Sequence, residues 1–251
     1  MIIFAPYLSP FEYDETDWDL ISSPPSIENA HIFGTDGVGR DLFVRTLYGG
    51  RMSLMVGVIA TLVSLIIGIS YGATAGYLGG RVDTVMMRIV DILYAMPFMV
   101  FEILLMVFYG RNIYLIFIAI GAINWLDMAR IVRGQTLSLK GREFIEAAQA
   151  SGVTTARIIL RHIVPNLLGI VVVYVTLTIP QVILVESFLS FLGLGVQEPD
   201  TSWGALVNEG AQDMESAPWA LLFPAGFLAT TLFCFNFIGD GLRDALDPKD
   251  R

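Results

Sequence analysis

The side chains of this sequence that could do chemistry are few, and their spacing serves no catalytic reaction. Its two lysines, Lys140 and Lys249, are followed by Gly141 and Asp250. Neither completes the glycine-rich turn ending in Lys-Ser or Lys-Thr that cradles a nucleotide's phosphates. His31 and His162 fall on opposite sides of the apolar stretches delimited below, so they cannot share a metal ion. The same separation rules out a serine hydrolase built on both, and no G-x-S-x-G elbow is present. Cys234 is the only cysteine, which leaves no intrachain disulfide and no thiolate cage; a packing role is expected for it. The expectation is a chain with no catalytic residue, no metal site and no cofactor of its own.

Four acids stand inside or beside apolar runs, where an unpaired charge is expensive and therefore a functional candidate: Asp91, Glu102, Asp127 and Glu186. Asp91 lies three residues from Arg88 and Asp127 three from Arg130, a separation that places each pair on one helix face. Ion pairing near a membrane surface is the preferred reading for those two. Glu102 and Glu186 have no such local base. Either they face a water-filled translocation path, or they sit near the outer boundary and reach water.

The elements that must position these residues are transmembrane helices. Of the 251 residues, 55% are hydrophobic and only 16% are charged, too apolar a balance for an ordinary soluble domain. Crossing a hydrocarbon core takes about 20 consecutive apolar residues in a helix. Five stretches qualify or nearly do: Leu54 to Leu78, Thr84 to Phe108, Ile113 to Ala129, Leu167 to Ser190 and Pro218 to Gly239. They are apolar all round, whereas core helices of a soluble bundle would repeat a polar face at helical spacing. The class expected is all-α, a membrane bundle of about five spans.

Charge placement orients the bundle. Up to Arg51 there are eight acids against Arg40, Arg45 and Arg51, and Phe191 to Ala217 holds five acids and no base. Arg81, Arg88, the stretch from Arg130 to Arg161, and Arg243, Lys249 and Arg251 carry the rest, so alternate loops hold eleven basic residues against four, the fourth being Arg111. Basic loops stay in the cytoplasm. The start of the chain is therefore expected outside and its end inside, as an odd number of spans requires. Residues 1–51 read as an extracytoplasmic segment of turns, with no stable domain of their own, and residues 52–251 as the transmembrane domain. Met1 to Leu8 is too short, and lacks the basic leader, for a signal peptide.

Gly68, Gly72 and Gly76 repeat every fourth residue, a face that lets another helix approach closely. Pro97 and Pro180 fall within spans, where a tolerated kink is expected before a functional hinge. Between the third and fourth spans lies an inside loop, residues 130–165. From Leu137 it reads as a helix ended by Gly152, then a second helix from Thr154 or Thr155 to His162 that stops before Pro165. Its length exceeds what a plain connection needs, and its shape is that of a docking surface.

Glu146-Ala147-Ala148, followed by Gly152 and Pro165, resembles the EAA loop of bacterial ABC importer permeases, with His162 and Val164 departing from that pattern. The resemblance extends to FGTDGVGRD from Phe33 to Asp41, ESFLSFLGLG from Glu186 to Gly195, Ser202-Trp203-Gly204, and FNFIGDGLRDALDP from Phe235 to Pro248. Nearly the whole chain is similar to the C-type permease of oligopeptide importers, within a wider peptide and nickel permease family. Members of that family have six spans, and Met1 to Leu8 resembles the outer end of the first, so the resemblance implies that the family's first span is missing here.

The resemblance further implies a multi-pass protein of the bacterial inner membrane, surrounded by lipid, with no nucleic acid among its partners. A second permease subunit, two ATPase subunits and an extracytoplasmic peptide-binding protein are its implied partners, and an oligopeptide its cargo; ATP and Mg are used by the ATPases. Glu146, Ala147, Ala148 and Gly152 would couple to an ATPase, and Glu186 and Glu102 would border the path. Nickel or a small glycoside stays open as alternative cargo. A secondary transporter would instead show an inverted repeat with matching broken helices, and a membrane scaffold would carry nothing.

Overall fold

The structure is a computed structural model that describes residues 9–110 and 113–246, without the side chains of residues 113–116, 119, 122 and 246. From Leu42 on the described residues are mostly helical, and none of the described residues forms a strand beyond the isolated bridges Thr16 to Arg40 and Thr35 to Asp41. In order they form α1 (Leu42–Leu78), α2 (Gly80–Tyr94), α3 (Phe98–Tyr109), α4 (Ile113–Lys140), α5 (Glu143–Ala150), α6 (Thr155–Ile158), a π turn (Ile159–Ile163), α7 (Val164–Phe191), α8 (Trp203–Gln212) and α9 (Pro218–Leu246).

Three of these helices are long and apolar enough to cross a membrane: Leu42–Leu78, Thr155–Phe191 and Pro218–Ala245. α2 and α3 pass the same test only when taken together, with a bend of 72° at the break between them, the form of a broken span or a re-entrant loop. Their outward side chains suit hydrocarbon, with Ile66, Val107 and Phe108 all exposed. The fifth expected stretch lies in α4, whose opening side chains fall outside the described residues, as do Met1 to Leu8, Arg111, Lys249 and Arg251.

The two prolines behave differently. Pro180 is carried inside the unbroken α7. At Pro97 the chain breaks instead: Val100 and Phe101 donate their amides to the Pro97 carbonyl, so the proline opens α3, where its missing N–H costs nothing. A span expected to be kinked is thus two helices.

The chain divides into two compact units. The first comprises the described residues up to Val58, of Ile103–Phe117 and of Ile179–Phe235. Of residues 1–51, expected to be turns without a domain, residues 9–41 are built into it and residues 42–51 already belong to α1. Asp41 caps α1, accepting the Val44 amide at 2.8 Å on one carboxylate oxygen and facing His31 Nδ1 at 2.8 Å on the other. Gly39, at φ +84°, passes so close to the Asp17 carbonyl that a Cβ has no room. Phe33 stacks on Phe223 at 4.0 Å beside buried Leu42, Ala217 and Ala220. Ser202 caps α8, and the buried Trp203 indole donates to the Thr46 carbonyl at 2.9 Å.

The second unit comprises Ile59–Glu102, Ile118–Thr178 and the described residues from Asn236 on. Its core draws Ile69, Ala73 and Tyr77 from α1, Met128 and Val132 from α4, Ile145 and Ala148 from α5, and Leu167 and Val171 from α7. Gly68, Gly72 and Gly76 face α4: a methyl at Gly76 would lie 2.8 Å from the Arg133 carbonyl, and the other two would press on Met128 and the Ala129 carbonyl. Absence of side chains here is what admits α4.

Candidate functional site

The inside loop predicted as a docking surface is α5, Gly152 and α6, and its local structure follows from its sequence. Gly141 and Arg142 end α4, so the first helix of the loop is the short α5 rather than a run from Leu137. α5 closes in a Schellman motif: the Val153 amide reaches the Ala148 carbonyl at 3.1 Å and the Gly152 amide the Gln149 carbonyl at 2.9 Å. That closure needs a left-handed residue, and Gly152 supplies it at φ +77°. α6 then does not stop before Pro165. It runs through the π turn into α7, giving one helix from Thr155 to Phe191. Pro165 sits in the first turn of α7, and the wider i→i+5 turn before it accommodates a residue with no amide to donate.

The four loop residues divide by exposure. Glu146, Ala147 and Gly152 are exposed, and the Glu146 side chain makes no hydrogen bond or ion pair among the described residues. Ala148 turns the other way, 9% exposed, into the core with Ile145. Its small side chain serves the seating of α5 rather than an outward contact. Exposed Phe144 adds an apolar side chain to the outward face. Glu143 and Glu146 occupy the first turn of α5, where carboxylates are favoured by the helix dipole.

The seat beneath this loop holds residues that sequence spacing did not disclose. Gln149 donates to the Tyr77 hydroxyl at 3.0 Å, tying α5 to α1. Arg133 grips Asp83 with two nitrogens, at 2.5 and 2.6 Å, tying α4 to α2. Arg130 pairs with Asp91 at 2.9 Å and lies over the Tyr94 ring at 4.4 Å. The expected partners are therefore exchanged: Asp91 is held by Arg130 rather than Arg88, and Arg130 is taken from Asp127. An arginine between two helices reaches a carboxylate on the neighbour as readily as one on its own turn.

Glu102 is buried, 2% exposed. Glu186 is wholly buried and does not reach water. Ser53 and Ser190 donate to its two carboxylate oxygens at 2.9 and 2.7 Å, and Ser187 approaches at 3.4 Å. Ser53 in turn accepts the Trp203 amide, and Ser190 the Val196 amide, each at 3.3 Å. One carboxylate thereby gathers α1, α7, α8 and the turn before α8. Among the described residues no group of three His, Cys, Asp or Glu could hold a metal ion.

Comparison with known proteins gives this arrangement its context. The oligopeptide transport system permease protein OppC of Escherichia coli K12 is 67% identical over 250 residues, covering 100% of this chain and 83% of that protein. OppC of Bacillus subtilis is 49% identical over 251 residues, covering 100% and 82%. The dipeptide transport system permease protein DppC of the same organism is 48% identical over 252 residues, covering 100% and 78%. Among solved structures, an inward-facing MetNI methionine ABC transporter chain superimposes with a TM-score of 0.64, over 82% of this chain and 97% of that one. At 18% identity that likeness establishes the fold, the helical bundle of ABC importer permeases. Residues 65–251, which contain the α5 to α6 loop and its seat, match the model of the binding-protein-dependent transport system inner membrane components, and the chain belongs to that family.

Proposed function

We propose that this chain is one of two permease subunits of an ATP-driven oligopeptide importer in the bacterial inner membrane, with its C-terminus in the cytoplasm. The relatives named for oligopeptide and dipeptide transport support the cargo. The observation that carries the mechanism is the α5 to Gly152 loop. Its outer side carries Glu146, Ala147 and Phe144, and its inner side is fastened through Ile145, Ala148 and Gln149. A partner pressing on such a loop moves what it is fastened to. ATP, with Mg, is hydrolysed in two ATPase subunits, and the loop passes their motion to α1 and α4 through Tyr77 and the shared core. A peptide-binding protein delivers cargo to the other face.

The test is reconstitution with the second permease, both ATPases and the binding protein. The expected result is peptide uptake with substrate-stimulated ATP hydrolysis, and co-purification of the ATPases with this subunit. Uptake driven by an ion gradient in the absence of ATPases would identify a secondary transporter and overturn the reading.

A further inference from the structure

Within the first unit, outside everything assigned above, a cleft of about 200 Å³ is bordered by Tyr13, Tyr48, Arg51, Met55, Asp200 and Thr201. Tyr13 and Tyr48 stack at 4.6 Å with 21° between their rings, giving one wall a broad aromatic surface. Arg51 and Asp200 are exposed, and neither side chain makes a hydrogen bond or ion pair among the described residues. Their neighbours differ: Arg40 and Arg45 in the same unit are paired with Asp36, Glu198 and Glu209. One carboxylate and one guanidinium thus border the same cleft without spending their charge on the protein.

Thr201 adds a third unmet group. It is 3% exposed, and its hydroxyl has no partner, an arrangement that costs free energy unless something supplies one. Burial first, then Asp14 and Asp200, push the Tyr13 phenol above its ordinary value.

We propose that this cleft is a reception site for a short zwitterionic peptide. A free α-amino group pairs with Asp200, a free α-carboxylate with Arg51, and a backbone amide satisfies the Thr201 hydroxyl. An apolar or aromatic side chain lies against Tyr13, Tyr48 and Met55. A lone amine, a lone carboxylate or a lipid tail would each leave at least one of these groups unmet; a di- or tripeptide with free ends meets them all. The inference rests on the peptide-import reading, and locates on this subunit a contact for cargo leaving the binding protein.

The experiment uses the complete transporter in nanodiscs, without binding protein, and saturation-transfer NMR with the dipeptide Ala-Phe, its N-acetyl form and its C-terminal amide. Each blocked form is expected to bind about tenfold more weakly than the free dipeptide, the loss of one charge-assisted contact. In Asp200→Asn the N-acetyl and free forms should bind alike, and in Arg51→Gln the amide and free forms should bind alike. No binding of Ala-Phe, or equal discrimination in the variants and the parent, would overturn the site. Binding-protein-dependent uptake measured on the same preparations separates the two claims: its loss in the parent complex counts against the import reading, and its retention without terminus discrimination counts against the cleft alone.

Discussion

Ser53 of α1 donates to the Glu186 carboxylate of α7 across 2.9 Å, at a point where both side chains are fully buried. This acid is the hub of hydroxyls that also hold the amides of Val196 and Trp203. Removing it would strand Ser53 and Ser190 at once. Glu186→Leu is therefore expected to destabilise the subunit by about 2–4 kcal/mol, and Ser53→Ala by roughly 1–2 kcal/mol. Glu186→Gln, which keeps an acceptor, should cost the least. Melting of the purified complex reads stability, and uptake kinetics read transport. A Glu186→Gln variant with unchanged melting but altered KM for several peptides would assign Glu186 to the path rather than to stability alone.

A second buried network fastens the segment before α1. Asp36 takes hydrogen bonds from Arg40 Nε at 2.7 Å and from Arg45, and both arginines also reach Glu209 on α8. Burial works against the Asp36 charge, but Arg45 and Arg40 outweigh it and hold the carboxyl below its ordinary value of 3.8. With the folded value depressed, the stability it contributes is present above the ordinary value and is lost as pH falls through the folded one. Amide exchange across residues 9–41 should therefore accelerate in acid below about pH 4. In Asp36→Asn the segment should exchange faster already at pH 7, and the acid step should shrink. An acid step of unchanged size in that variant would assign it to other carboxylates.

These two networks mark what the sequence makes legible and what it does not. The apolar runs, the left-handed glycine after α5 and the loop beside it are local patterns, and a local pattern is readable wherever period and turn chemistry agree. The choice of Asp91 over Asp127 by Arg130, or of Glu209 by Arg45 across 164 positions, is made by tertiary proximity, for which spacing carries no signal. The order of residues 9–41 is hidden for the same reason: its distant stabilising partners, among them Glu209 and Phe223, lie on α8 and α9. Gly68, Gly72 and Gly76 announce a close approach, yet only the fold says that α4 makes it.

Topology is tested by labelling. Gln212, at the end of α8, and Ser138, near the end of α4, are both exposed, and the charge asymmetry predicts the first outside and the second inside. Cys234 is exposed and must be replaced first. In a Cys234→Ser background, a cysteine at position 212 should react with an impermeant thiol reagent in intact cells, and one at position 138 only after lysis. The reverse pattern would invert the orientation of every span.

Gly152 offers the sharpest test of coupling, because its constraint is purely one of backbone. A Cβ there would meet nothing within 4 Å, while φ is +77°. Any loss on substitution therefore reports the left-handed conformation, not a collision. An L-residue pays about 1–2 kcal/mol for that conformation, Asn less and a β-branched residue more. This corresponds to roughly a five- to thirtyfold fall in the population of the native turn. The spans and the core around Ile145 are untouched by the change, so the subunit should insert and pair with the second permease as before. Substrate-stimulated ATP hydrolysis and uptake should fall in the order Gly152→Asn, Gly152→Ala, Gly152→Val, with Val retaining the least. ATPase co-purification should weaken in the same order, and Glu146→Lys should weaken it through charge without altering the turn. Equal uptake in all four variants would leave the loop a connector between α4 and α7.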